Sequence, residues 1–130
     1  MKVSGLPKDW DELPKEIKIM HEEKRLARIL KDVPKEQIRL TERLIERAAF
    51  MLVTLCDYEA AIMRNGIITK MSQGAYEIDR ENPALKGYNS MLKNYTSVIR
   101  QLCELLPDKA DAARDKAGER LAQFVSKGKV

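Results

Sequence analysis

Asn82-Pro83-Ala84-Leu85-Lys86-Gly87-Tyr88-Asn89-Ser90-Met91-Leu92-Lys93-Asn94-Tyr95-Thr96-Ser97-Val98-Ile99-Arg100-Gln101-Leu102-Cys103-Glu104-Leu105-Leu106-Pro107 reads as one amphipathic helix with both ends marked. Asn82 offers an N-cap oxygen, and Pro83 suits a first helical position, where its missing amide costs nothing. Leu85, Tyr88, Leu92, Tyr95, Ile99, Leu102 and Leu106 then alternate steps of three and four, which is a heptad seam. Met91, Val98 and Leu105 run beside it and widen the apolar face beyond what a single neighbouring helix covers. Such a helix predicts partners on two sides. Pro107 ends it.

Upstream, residues 66–81 change texture. Ile67, Ile68 and Thr69, then Ala75, Tyr76, Glu77 and Ile78, flank a Ser72-Gln73-Gly74 turn, and a short β-hairpin is expected. Before it, residues 34–65 carry Leu44, Ala48, Met51, Leu55, Tyr58 and Ile62 at helical spacing, a helix of roughly 45 Å that stops at Asn65-Gly66. A first helix over residues 14–31 is marked by Pro14 and a broken stripe of Ile17, Met20, Ala27, Leu30 and Val33, and Val33-Pro34 closes it. Residues 1–12, with Gly5, Pro7 and Trp10, read as an irregular arm. Beyond Pro107, Ala112, Ala117, Leu121, Phe124 and Val125 allow a last amphipathic helix that Gly118 weakens.

The reading is therefore all-α with one short β-hairpin. An antiparallel pair of long helices oligomerises side by side, in three regions: an arm and basic helix (1–33), a helix-hairpin-helix core (34–107) and a tail (108–130). If Asn65 and Asn82 face each other across the hairpin, the register sets Cys56 near Met91 and Cys103 near Leu44. The two thiols are then roughly 18 Å apart along the axis, beyond disulfide reach.

Composition narrows the function classes. The 130 residues suit one domain, and 44% hydrophobic with 34% charged residues of both signs suits amphipathic helices. The net charge of +4 permits polyanion binding without demanding it. No apolar run reaches membrane length and the start lacks a signal sequence, so a cytoplasmic, membrane-independent protein is expected. Cys56 and Cys103 form no CxxC and read as buried thiols, with no metal or cofactor implied. No HExxH, no phosphate-binding Gly-rich loop and no Ser or Cys beside a His is present, so no enzyme is expected.

From the hairpin through Asn82-Pro83-Ala84-Leu85-Lys86 to Leu102-Cys103-Glu104-Leu105-Leu106, the chain resembles the P27 family of bacteriophage terminase small subunits. Leu52-Val53-Thr54-Leu55-Cys56-Asp57-Tyr58 fits the family's long helix, and Arg120-Leu121-Ala122-Gln123-Phe124 is similar to its short hydrophobic tail. Together these span about residues 40–125. The chain departs from the family after the third helix, where Glu104-Leu105-Leu106-Pro107 replaces a common Glu-Leu-Gly-Leu-Thr-Pro. The resemblance implies a homo-oligomeric ring that recognises the packaging-start region of viral double-stranded DNA in the infected host and recruits or stimulates the large ATPase-nuclease subunit.

Under that resemblance Lys24, Arg25, Arg28, Lys31 and Lys35 become a phosphate-tracking stripe. The competing reading is an ordinary solvated face, with Glu22 and Glu23 nearby. Arg39, Arg43 and Arg47 share a face of the second helix, with Glu36, Glu42 and Glu46 spaced to neutralise them; that local pairing, or pairing across subunits of a ring, is preferred to phosphate binding. Leu85, Tyr88, Met91, Leu92, Tyr95, Val98, Ile99, Leu102 and Leu105 are the expected oligomer interface, with Tyr88 and Tyr95 as packing residues. His21 reads as solvated, and Glu77, Asp79 and Glu81 as the polar face of a strand. Two rivals stand beside the terminase reading: a helical scaffold without DNA affinity, and a small transcriptional regulator. The abrupt join and long second helix suit a helix-turn-helix poorly.

Overall fold

A computed structural model describes residues 9–107, Gly118 and residues 120–123. It is mostly helical, with one antiparallel two-stranded hairpin. Helix α1 is Lys15–Ile29, α2 is Ile38–Asn65 and α3 is Pro83–Glu104, with strands β1 Ile68–Gln73 and β2 Tyr76–Glu81 between α2 and α3. The predicted tail residues Ala112, Ala117, Phe124 and Val125 lie outside the described residues. Leu121 sits in a helical turn and is exposed.

Local chemistry sets the boundaries. Pro14, expected at the first helical position, takes the N-cap instead, so α1 starts one residue later, and Glu16 and Arg28 place opposite charges at the matching ends of its dipole. A single 3-10 turn, Lys35–Gln37, follows Pro34 and leads into α2. The 28 residues of α2 extend about 42 Å and end at Gly66, whose φ of 79° is reached without penalty only by a residue lacking Cβ. The strands pair from Ile68↔Glu81 to Gln73↔Tyr76, so the turn is Gly74-Ala75. It falls one residue beyond the expected Ser72-Gln73-Gly74, because the positive φ at Gly74 belongs at the first central position of a two-residue turn. Asn82 joins hairpin to helix as expected of a cap: its Oδ1 accepts from the Ala84 amide at 3.0 Å, and its Nδ2 donates to the Gly66 carbonyl at 2.9 Å.

The core joins all three helices. Leu26, Leu30 and Val33 from α1 and the turn after it, Ile45 and Ala48 from α2, and Leu102 from α3 form one buried cluster. Tyr95, Val98, Ile99, Leu105 and Leu106 pack against it. On its second side, Tyr95, Val98 and Ile99 of α3 pack against the cluster to which α1 contributes Leu26 and Leu30, yet Leu102 is the one buried residue of α3, so the wide apolar face stays only half-covered within the chain. Leu92, expected within the seam, is 41% exposed. A straight helix drifts about 20° per heptad from a 3.5-residue repeat, so single seam positions can turn outward.

The antiparallel register of α2 and α3 follows the expectation. Glu59 meets Tyr88, whose hydroxyl donates to it at 3.0 Å, and this pairing lies on the register that sets Cys56 opposite Met91. Cys56 and Cys103 are not disulfide-linked and are half-buried. Beside this contact Gly87 faces Tyr58, and a Cβ on Gly87 would lie 2.5 Å from the Tyr58 hydroxyl and 2.8 Å from its Cζ. Glycine is what lets that ring lie against the backbone of α3.

Candidate functional site

The turn from α1 into α2 gathers the cationic residues. Lys24, Arg28, Lys31 and Lys35 are all exposed, as are Arg39, Arg43 and Arg47. None of these is in an ion pair among the described residues, so the expected neutralisation by Glu36, Glu42 and Glu46 is not made by contact. Arg28, Lys31, Lys35 and Arg39 follow one another around the turn and present free guanidinium and ammonium groups to solvent.

Arg25 does not belong with them. Its Nε donates to Glu22 at 2.9 and 3.1 Å, its Nη2 donates to the same carboxylate, and Glu22 is 1% exposed. A charge buried to that degree requires a partner, and the side chain three residues on supplies it. The hydrogen bonds to Glu22 raise the Arg25 pKa above its ordinary value. The i, i+4 spacing that placed Arg25 beside the stripe did not register this inward partner. Lys24 is exposed but borders a shallow depression of about 260 Å³ with Glu23, Glu42 and Glu46, which weakens its pull on phosphate.

At the other end of the bundle lies a feature that single-helix spacing did not reveal. A cleft of about 740 Å³ opens between the start of α1, the last turns of α2 and the first turns of α3. Its apolar lining includes Trp10, Ile62, Met63, Leu85 and Tyr88, and its ionic lining is Asp11, Asp57 and Glu59 against Lys18. Trp10 is 9% exposed, held in the 3-10 turn Trp10–Glu12. The arm is thus docked at this point. The Trp10 ring centroid lies 6.3 Å from that of His21, which is half-buried rather than solvated, and Lys18 Nζ lies 5.8 Å from the Trp10 centroid. Lys15 bridges Asp57 at 3.0 Å, tying α1 to α2. Burial, then the Glu59 carboxylate, pushes the Cys56 thiol pKa up. The hydrogen bond to Glu59 does the same for Tyr88.

Most of the predicted interface residues are half-buried within the chain. Leu102 is core, while Tyr95, Val98, Ile99 and Leu105 pack on that core. Leu85 and Tyr88 line the cleft, Tyr88 meets Tyr58 edge to face at 6.4 Å, and Met91 is half-buried. Leu92 alone of the set is exposed. Exposed apolar side chains occur instead at Ile29, Ile38, Leu40, Phe50 and Met63, and on the hairpin at Ile68, Tyr76 and Ile78. Glu77, Asp79 and Glu81 are solvated, with Asp79 paired to Lys70 across the strands.

Among the described residues no group of three His, Cys, Asp or Glu side chains is placed to hold a metal ion. No helix among them is long and apolar enough to cross a membrane. Comparison with protein-family models, with curated proteins and with solved structures finds no match to this chain.

Proposed function

We propose that the chain is a non-catalytic DNA-recognition subunit of the terminase small subunit kind, forming a homo-oligomeric ring on viral double-stranded DNA and recruiting the large ATPase-nuclease subunit. One observation carries the reading: a long helix, a short hairpin, an Asn-Pro capped start and a second long antiparallel helix occur in the order that the resemblance implies. The exposed cationic turn supplies what such a protein needs for phosphates, with Lys24, Arg28, Lys31 and Lys35 as the contacts and Arg25 excluded. One subunit neutralises few phosphates and binds feebly at physiological salt. A ring repeats the turn around an axis, and avidity accumulates without new chemistry. Base selectivity is modest, because Lys and Arg on phosphates position a protein without reading sequence.

The test is a salt titration of duplex binding by the wild type and by a variant with Lys24, Arg28, Lys31 and Lys35 all changed to Ala, once the variant's assembly has been verified. Steep salt dependence in the wild type and a shallower slope in the variant are expected, with the duplex left uncut. Equal affinity and slope would move the DNA site elsewhere. A second reading, a helical scaffold without DNA affinity, is favoured by the inward pairing of Arg25 and the carboxylates around Lys24. Failure of the wild type to bind any duplex, its own packaging region included, selects it.

A further inference from the structure

The cleft and the cationic turn are complementary, and they lie at opposite ends of one molecule. The cleft has a largely apolar lining and carries Asp11, Asp57 and Glu59 against Lys18, with Asp57 also paired to Lys15 and Glu59 bonded to Tyr88, in a chain whose net charge is +4. The α1–α2 end carries exposed Ile38 and Leu40, 43% and 54% accessible, beside the exposed cations Lys35 and Arg39. Leu40 and Ala60, both on α2, are about 30 Å apart along the helix, so one copy cannot place its own turn in its own cleft. Nucleic acid is disfavoured in the cleft by its carboxylates. The hairpin of another copy, with Glu77, Asp79 and Glu81 against Lys70 and Arg80, offers no excess positive charge.

We propose that the cleft seats the α1–α2 end of a second copy of this chain. Ile38 and Leu40 meet the apolar lining, and Lys35 and Arg39 face the cleft's carboxylates. Complementary potentials of this kind set orientation and exclude wrong partners. The contact joins two different surfaces, so it is heterologous, and repeating it produces a ring where the rotation closes. The inference rests on the ring part of the proposed function. It shares Lys35 with the DNA contacts and leaves Lys24, Arg28 and Lys31 for phosphates alone.

The experiment uses the full chain and two double variants at exposed positions. Ala60→Arg with Met63→Arg spoils the cleft, and Arg39→Glu with Leu40→Glu spoils the turn; Met63 is 86% exposed and Ala60 and Arg39 are exposed. Circular dichroism verifies helix content. Sedimentation velocity on the wild type is expected to show a closed assembly and on each variant alone a monomer. Mixing the two variants is expected to restore a 1:1 dimer, since each retains the half the other lacks. A monomeric wild type overturns the ring reading and this inference together. An assembling wild type whose variants also assemble, or whose monomeric variants fail to pair when mixed, overturns the head-to-tail contact and leaves the ring reading standing.

Discussion

Glu22 and Arg25 show how one pair of residues fixes both stability and the limits of the cationic surface. Changing Arg25 to Ala leaves the Glu22 carboxylate, 1% exposed, without its partner. Because Arg25 itself is partly solvated, with 32% of its side chain accessible, the expected loss is about 2 kcal/mol, below the 3–5 typical of fully buried pairs. Chemical denaturation measures it, and no change in midpoint would contradict the role given to the pair. Lys31→Ala should do the opposite, sparing stability while lowering the salt slope of DNA binding. Gly87→Ala places a methyl group against Tyr58. Even after the helix-propensity gain of up to about 1 kcal/mol, a net loss of about 1–2 kcal/mol is expected from overpacking, readable as a lower melting temperature. Titration adds a direction. Burial raises the Cys56 and Tyr95 pKa values, and the bond to Glu59 raises that of Tyr88, so the native state keeps these protons after the unfolded chain begins to lose them. The stabilisation is fully present below about pH 8.5, where both states are protonated. It declines as pH rises through the shifted values. A melting temperature that climbs between pH 9 and pH 11 would contradict this, and Tyr95→Phe should flatten the decline.

Capping chemistry is local, which is why helix and hairpin boundaries were legible in the sequence. Asn82-Pro83 announced the start of α3 because a side-chain oxygen and a preset φ act within three residues of the chain. What sequence did not disclose is that Asn82 also donates to the Gly66 carbonyl, a bond that exists only once the hairpin brings the two ends together. The pair of bonds suggests a graded test. Asn82→Asp keeps the acceptor for the Ala84 amide and loses the donor, whereas Asn82→Ala loses both. Costs of up to about 1 kcal/mol and about 2 kcal/mol are expected, and an Asn82→Asp variant as stable as the wild type would show that the link to Gly66 contributes nothing. The face of α3 was half legible. Its periodicity was plain, but exposure at a single position depends on how the helices pack, so Leu92 was placed inside the seam and is exposed. The cleft was illegible for the same reason, since Trp10, Asp57 and Tyr88 meet only in three dimensions.

For the molecule as a whole, charge and apolar exposure are distributed unevenly along the bundle axis, with free cations at the α1–α2 end and carboxylates around an apolar cleft at the other. Head-to-tail association should therefore weaken as salt is added, and wild-type sedimentation at low and high ionic strength measures this; a salt-insensitive assembly points to the apolar residues alone. Two long helices with a seven-residue pattern pose a further problem, because sliding one past the other by a whole heptad preserves much of the apolar matching. Such a pattern encodes several alignments of similar quality. Gly87 removes the ambiguity. It is the only glycine of α3, and a seven-residue slip would bring Asn94 or Arg80 to the place where the Tyr58 ring lies close against backbone. The glycine works as a notch that admits the tyrosine at one position, so a contact that adds little cohesion of its own selects a single alignment among near-equals and thereby decides where both ends of the molecule fall.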